Sequence, residues 1–349
     1  MEKRRLIRFA GGFMLILWIV TGMVLGPMAP AVAAAPIELK FASNVSDVAA
    51  ISTDFVKRWG SEVEKATGGR VKVTYYFNQS LLKQGDMYDG VAKGIADVCW
   101  GLGSWFPNRF PLSTITELPS PLTTAAAGSK VIWDLYDKYL KNEYKDVKVL
   151  ELSTASPKYL FFVTKPIKTM EDLKGTRIDA VGRTEGKIVQ LLGGSPQVVP
   201  FPELYSGLER GIIDGGLLAT GGVSALRLQE VLKYFNDFPF GMAPGFMVMN
   251  KAKWERLPAD IQKQIESLSG AYASNLHGTA WDTEEVTGRK ALASKGVLPF
   301  RMTPEETKRW RDVLAPLAKD WINEMEGKGL PGQKMYEDYT QLVNKYAPK

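Results

Sequence analysis

From residue 38 onward, apolar and polar positions follow two alternating rhythms. Glu38-Leu39-Lys40-Phe41-Ala42 alternates with period two, as a half-buried strand does. Residues 52–66 then carry Phe55, Val56, Trp59 and Val63 at helical spacing, and Gly68-Gly69 closes that helix. Residues 70–76 alternate again, residues 80–93 read as a helix ending at Gly94, and Ala96-Asp97-Val98-Cys99-Trp100 is a short, nearly continuous apolar run that fits a buried strand. The order strand, helix, strand, helix, strand predicts parallel strands joined by right-handed crossovers.

The same order returns later in the chain. Residues 176–180, 197–201 and 214–219 read as strands, with helices over 184–192 and 202–210 between them. One stretch nearly repeats: Tyr88 to Asp97 aligns without gaps to Tyr205 to Asp214 at an offset of 117, with five of ten residues identical. Two similar halves predict two α/β lobes with a ligand crevice at the carboxyl ends of their strands. The remaining segments read as bracing. Residues 133–140 form an amphipathic helix, 147–152 a strand leading to the second lobe, and 243–250 a strand crossing back. Helical pattern runs over 258–295, with Gly270, Gly278 and Gly288 as weak points, and a helix of that length would lie across both lobes. A short strand over 297–302 and a helical tail follow, the tail opening on Thr303 with Pro304 in its first turn. The expected division is 1–35 as a leader, 36–155 plus about 243–270 as lobe 1, and 156–242 plus about 271–349 as lobe 2.

The leader sets the compartment. Lys3, Arg4, Arg5 and Arg8 precede an apolar run from Phe9 to Leu25, and Ala31-Val32-Ala33-Ala34-Ala35 follows Pro27 and Pro30. A basic region, an apolar region and small residues at a cleavage site make a secretory signal peptide, cut after Ala33 or Ala35. The alternative is an uncleaved anchor, for which the run is short. Of the net charge of +6, the leader carries half, so the remaining 315 or so residues are only mildly basic and give no case for nucleic acid. That length calls for two domains. The single cysteine, Cys99, lies in an apolar strand and forms no internal disulfide. An exported, disulfide-free globular chain suits a bacterial periplasm.

Catalytic equipment is sparse. The only histidine, His277, sits in the long helical stretch without a flanking nucleophile motif, and reads as a packed helix residue. No spacing fits zinc, calcium, a Walker loop or a dinucleotide fingerprint, so neither a metal nor another cofactor is expected. Gly182-Arg183-Thr184-Glu185-Gly186 opens a helix after a strand, where an anion could rest, although as a nucleotide motif it is weak. The rival to a binding function is a secreted α/β enzyme using Asp179 with Glu185 or Glu203 as an acid/base pair.

Several segments together carry a family resemblance: Gly94 to Asp97, Pro166 to Gly175, Leu191 to Pro196, Pro202 to Tyr205, Gly211 to Gly215, and Val248 to Lys251 with Trp254 and Leu257-Pro258. In these the chain resembles the periplasmic solute-binding proteins of tripartite ATP-independent (TRAP) transporters, the DctP family. The resemblance implies an α/β, two-lobed, type II-like periplasmic binding protein fold with a long helix bracing both lobes. It implies closure around a small organic acid, delivered to a small and a large membrane subunit. A receptor for an ATP-driven importer or a sensor is the alternative within binding proteins. The family's strand after Leu-Lys-Gly usually places an arginine on the solute carboxylate; here that position is Asp179. Arg177 lies two residues earlier and Arg183 just beyond, so Asp179 either meets a cationic group of the solute, holds one of these arginines, or is structural. Strand ends add Asn44, Trp100, Trp105, Tyr159, Leu218 and Phe246 as pocket candidates, each of which could equally be core. Together they describe a pocket suited to a monocarboxylate with an apolar or aromatic body.

Overall fold

The computed structural model describes residues 35–348 apart from Pro107, so the expected leader, except for Ala35, lies outside the described residues. The chain opens with strand β1 (Ile37–Ala42), helix α1 (Arg58–Ala66), β2 (Val71–Tyr76), α2 (Met87–Ala92) and β3 (Val98–Leu102). Helix α3 (Ala125–Leu135) leads to β4 (Val147–Thr154), and the chain then crosses into β5 (Tyr159–Phe162). The second series follows as β6 (Arg177–Asp179), α4 (Arg183–Leu191), β7 (Ser195–Gln197), α5 (Leu204–Glu209), β8 (Gly215–Leu218), α6 (Thr220–Ala225) and β9 (Tyr234–Asn236). The chain returns through β10 (Pro244–Asn250), then α7 (Lys251–Glu255), α8 (Ala259–Ser267), α9 (Ala271–Ser294) and β11 (Pro299–Phe300). Helices α10 (Pro304–Leu314), α11 (Pro316–Gly327) and α12 (Gly332–Tyr346) complete it.

Two mixed sheets result, ordered β2-β1-β3-β10-β4 and β11-β9-β5-β8-β6-β7. Each has a parallel trio, β2-β1-β3 and β7-β6-β8, bordered by an antiparallel strand that arrives from the other half. The first sheet borrows β10, and the second takes β5 directly after β4. The apolar faces of the first sheet and of α1, α8 and the start of α9 bury Phe41, Trp59, Trp100 and Ile261 completely or nearly so. The second sheet packs Tyr159, Phe161, Leu218 and Phe235 beside α5, α6 and Leu292 of α9.

The ten-residue repeat forms one junction twice. Gly94 and Gly211 both end a helix at positive φ, +79° and +65°, where a side chain is disfavoured. Asp97 and Asp214 then tie the next strand to its neighbour: Asp97 Oδ2 accepts from Lys40 N at 2.8 Å, and Asp214 Oδ2 from Arg177 N at 2.7 Å. In return Asp97 N donates to Lys40 O and Asp214 N to Arg177 O. The shared glycine and aspartate are therefore what this helix-to-strand turn requires.

Two expectations change. The helix over 258–295 is two helices, broken at Gly270, whose φ of +63° and ψ of −135° no L-residue adopts comfortably. Gly278 and Gly288, by contrast, do not break α9. A Cβ on Gly278 would lie 2.7 Å from Ala126 Cα in α3, and one on Gly288 2.3 Å from Thr220 O in α6. These glycines are where α9 crosses the two halves, so it braces both. The tail is also shared: α12 packs on α3 of the first half as well as on α11, rather than belonging with the second sheet alone.

Candidate functional site

The carboxyl edges of both parallel trios converge on one segment of α9. Following β1, Ile51 N donates to Glu284 Oε1 at 3.4 Å. Following β8, Gly221 abuts the same carboxylate, a Cβ there lying 3.1 Å from Oε2. Thr220 donates to the carbonyl of Glu285 at 3.0 Å, and Asp282 takes Ala125 N and Ala126 N at 2.7 and 3.1 Å, capping α3. Residues 281–285 are thus the pillar between two facing strand edges, the place where ligands of open α/β sheets bind.

On the first-sheet edge the side chains are aromatic and amide. Trp100 is buried in the middle of β3, its indole donating to Ser43 Oγ at 3.0 Å. Its ring lies 5.4 Å from Trp105 and 6.1 Å from Trp281 of the pillar. Trp105 and Trp281 are half-buried, and the indole N–H of Trp281 is sequestered with no acceptor among the described residues. Asn44 donates to Gln84 Oε1 at 3.2 Å, while its Oδ1 is buried without a donor. Trp281 was missed from the sequence. Its spacing of four from His277 was the available signal, since it puts both on one helix face. His277 itself is fully buried, stacked on Phe55 at 3.9 Å, its Nδ1 2.9 Å from both Glu151 Oε1 and Ser153 Oγ. It anchors α9 to β4 as a packed residue.

On the second-sheet edge the side chains are charged. Asp179 ends β6, is 1% exposed, and accepts Val199 N at 2.9 Å. Burial raises its pKa to about 6, the ammonium of Lys158 partly opposing that shift. Lys158 immediately precedes β5, opposite the end of β8, and its ammonium pairs with Glu185 in the first turn of α4. Glu185 also accepts Val181 N at 3.1 Å through its other oxygen. Glu117, from the connection before α3, completes the group: burial first, and Glu185 second, push its carboxyl up to about 7. Lys158 was likewise missed. The signal was a lone lysine in a segment otherwise apolar, between Ser156 and Tyr159.

The expected residues are therefore not one constellation. Asn44, Trp100 and Trp105 gather on the first edge, and Asp179 lies on the second with Lys158. Arg177 is placed elsewhere: it starts β6, two residues from the carboxyl edge, and its guanidinium holds both oxygens of Asp214 at 2.9 and 3.0 Å and the Gly211 carbonyl at 2.7 Å. Arg183 is exposed and paired with Glu324 of α11 at 2.6 Å. Neither arginine is held by Asp179. Phe246 lies mid-strand among Tyr88, Phe106, Phe110 and Tyr144, fully buried in core. Tyr159 and Leu218 pack in the second-sheet core, with Arg289 4.8 Å above the Tyr159 ring. In the rival pairing, Glu203 is exposed and Glu185 is bound to Lys158. A cavity of about 360 Å³ lies away from both edges, between Leu118–Pro121, Phe238–Pro239 and helices α10 to α12.

Residues 41–324 match the model of bacterial extracellular solute-binding protein family 7, DctP. The C4-dicarboxylate-binding periplasmic protein DctP of Rhodobacter capsulatus is 27% identical over 306 residues, 85% of this chain and 90% of that one. A TRAP solute-binding protein from Rhodoferax ferrireducens, solved with copurified benzoate, superposes with a TM-score of 0.82 at 26% identity, over 89% of this chain and 98% of that one. A marine metagenome TRAP protein specific for aromatic acids, solved with 3-hydroxybenzoate, gives 0.83 at 28% identity, over 90% of this chain and 100% of that one.

Proposed function

The chain belongs to the DctP family of bacterial extracellular solute-binding proteins, the solute receptors of TRAP transporters, and we propose that its solute is a monocarboxylate with an aromatic body. The observation that carries this reading is the aromatic edge, where Trp105 and Trp281 stand half-buried beside Trp100. A flat ring stacked there gains dispersion and apolar burial that a C4-dicarboxylate cannot use. The indole N–H of Trp281, unpaired among the described residues, offers a donor at the same edge. Two related receptors hold aromatic acids, benzoate and 3-hydroxybenzoate.

In this reading the leader is removed after Ala33 or Ala35 in the periplasm, and the two edges close on the acid. Closure about the α9 pillar presents the loaded form to a small and a large membrane subunit. The protein is a receptor without turnover. Its one histidine is fully buried and bound through Nδ1 to Glu151 and Ser153.

Thermal shift with an organic-acid library tests the solute class. Benzoate-like acids at about a hundred times their Kd should add about 2.7 kcal/mol of stability, enough to raise the Tm by several degrees. Trp105→Ala and Trp281→Ala should each remove most of that shift. Stabilisation by succinate, fumarate or malate alone would overturn the reading.

A further inference from the structure

The charged floor of the second edge carries one ammonium and three carboxylates, a composition that a simple acid does not complement. Lys158 begins at β5 and pairs with Glu185 at the start of α4, beyond β8 and beside β6. The strand order β5-β8-β6 separates Lys158 from Asp179 by two strand spacings, about 10 Å in all. Lys158 and Asp179 thus flank the carboxyl end of β8, on the two strands that border it. Glu185, Glu117 and Asp179 all act on its ammonium.

Two groups in this cluster keep unused bonding capacity. Among the described residues Lys158 donates to Glu185 alone, which leaves two of its three N–H directions uncommitted, and its side chain is 22% exposed. Asp179 receives Val199 N on Oδ1, and among the described residues no donor reaches Oδ2. An unused donor and an unused acceptor thus belong to one charged group on the same sheet edge, Asp179 lying within the field of the Lys158 ammonium. A bare carboxylate placed on Lys158 would add negative charge to a floor whose carboxyl groups already outnumber its one ammonium and already raise one another's titration. A head group that also brings a proton donor would meet Asp179 at the same time.

We infer that this floor reads a two-part head group, a carboxylate taken by Lys158 and an adjacent hydroxyl or ammonium donor taken by Asp179. The favoured solute class is then an α-hydroxy or α-amino aromatic acid rather than an aromatic acid without a donor. The inference rests on the aromatic-acid reading above and narrows it. Asp179 is the specificity-determining residue, since its free oxygen is what admits the donor.

Calorimetric titration with three acids sharing one ring tests this: phenylacetate, mandelate and phenylglycine. Mandelate and phenylglycine should bind at least about tenfold tighter than phenylacetate, the worth of one hydrogen bond to a charged group. Asp179→Asn keeps an oxygen for Val199 N. It should shrink the difference to about threefold or less, while phenylacetate binds as well as before or better. The comparison among acids on the wild-type protein needs no variant, so a variant that folds poorly does not blunt it. Phenylacetate binding as tightly as mandelate on the wild type would overturn the inference, as would a difference that Asp179→Asn leaves intact. Binding of C4-dicarboxylates with none of the three aromatic acids would overturn the aromatic reading itself, a separate outcome.

Discussion

Asp179 is 1% exposed, yet its partners are one backbone N–H and a lysine shared with two other carboxylates. Burial therefore governs its titration, and its pKa rises to about 6 where an ordinary aspartate lies near 3.9. The native state accordingly holds this proton at a pH where the unfolded chain has lost it. The resulting stabilisation is complete below about pH 4 and disappears as the pH rises through 6, amounting to about 2–3 kcal/mol. Glu117, raised to about 7, acts in the same direction. The ion-paired acids oppose them at the acid end. Asp214 and Asp172, held down by Arg177 and by backbone N–H groups respectively, lose their contribution only as the pH falls below the ordinary aspartate range. Stability should thus peak at mildly acidic pH. The Tm of the wild type should fall between pH 5 and 7.5, and that of Asp179→Asn should fall less. Parallel Tm profiles for the two proteins would show that Asp179 titrates as an ordinary exposed acid.

Helix α9 shows how an element can be placed by its weakest helix formers. Its 24 residues span about 36 Å, enough to reach from one sheet to the other. Gly278 and Gly288 lie at the two contacts, against α3 and α6. By intrinsic propensity, Gly288→Ala would stabilise an isolated helix by about 1 kcal/mol. Here the new methyl would meet Thr220 O at 2.3 Å and Thr220 C at 2.4 Å, backbone atoms that move only if α6 moves. Overpacking of this kind costs about 1–3 kcal/mol, so steric cost exceeds propensity. Gly288→Ala should lower stability in urea titration while leaving helical content unchanged. A gain in stability would mean that α6 yields freely. Gly270 differs: its backbone conformation ends α8 and starts α9, and a Cβ there would also lie 3.0 Å from the Trp133 ring.

At the scale of the molecule, neither half is self-contained. The first sheet includes β10 from beyond the second series, and β4 and β5 are separated by only four residues. Helix α9 contributes Ala273 and Leu276 to one core and Leu292 to the other, and α12 packs on α3. Removing either half would unpair strands and expose the α9 contacts, so the lobes should unfold together. Thermal melts followed by tryptophan fluorescence and by far-ultraviolet circular dichroism should coincide in one transition. Two resolved transitions would show that the lobes are energetically independent.

Much of this architecture is written in local pattern. The alternations at Glu38–Ala42 and Arg70–Tyr76 and the paired junctions at Gly94-Asp97 and Gly211-Asp214 depend on neighbours within a few residues, and so does the aromatic character of the first edge. They could therefore be read along the chain. Where Arg177, Phe246 and Lys158 point could not. Period two put Arg177 and Asp179 on one strand face, but only the pairing of β6 with β8 showed that one starts the strand on Asp214 while the other ends it at the cleft. Phe246 alternates like any edge residue, and only β3 and its aromatic neighbours make it core. Lys158, Glu117, Asp179 and Glu185 come from four separate elements. Their mutual field arises from a fall-off with distance in space rather than in sequence, so the charge composition of the floor exists only in the folded chain.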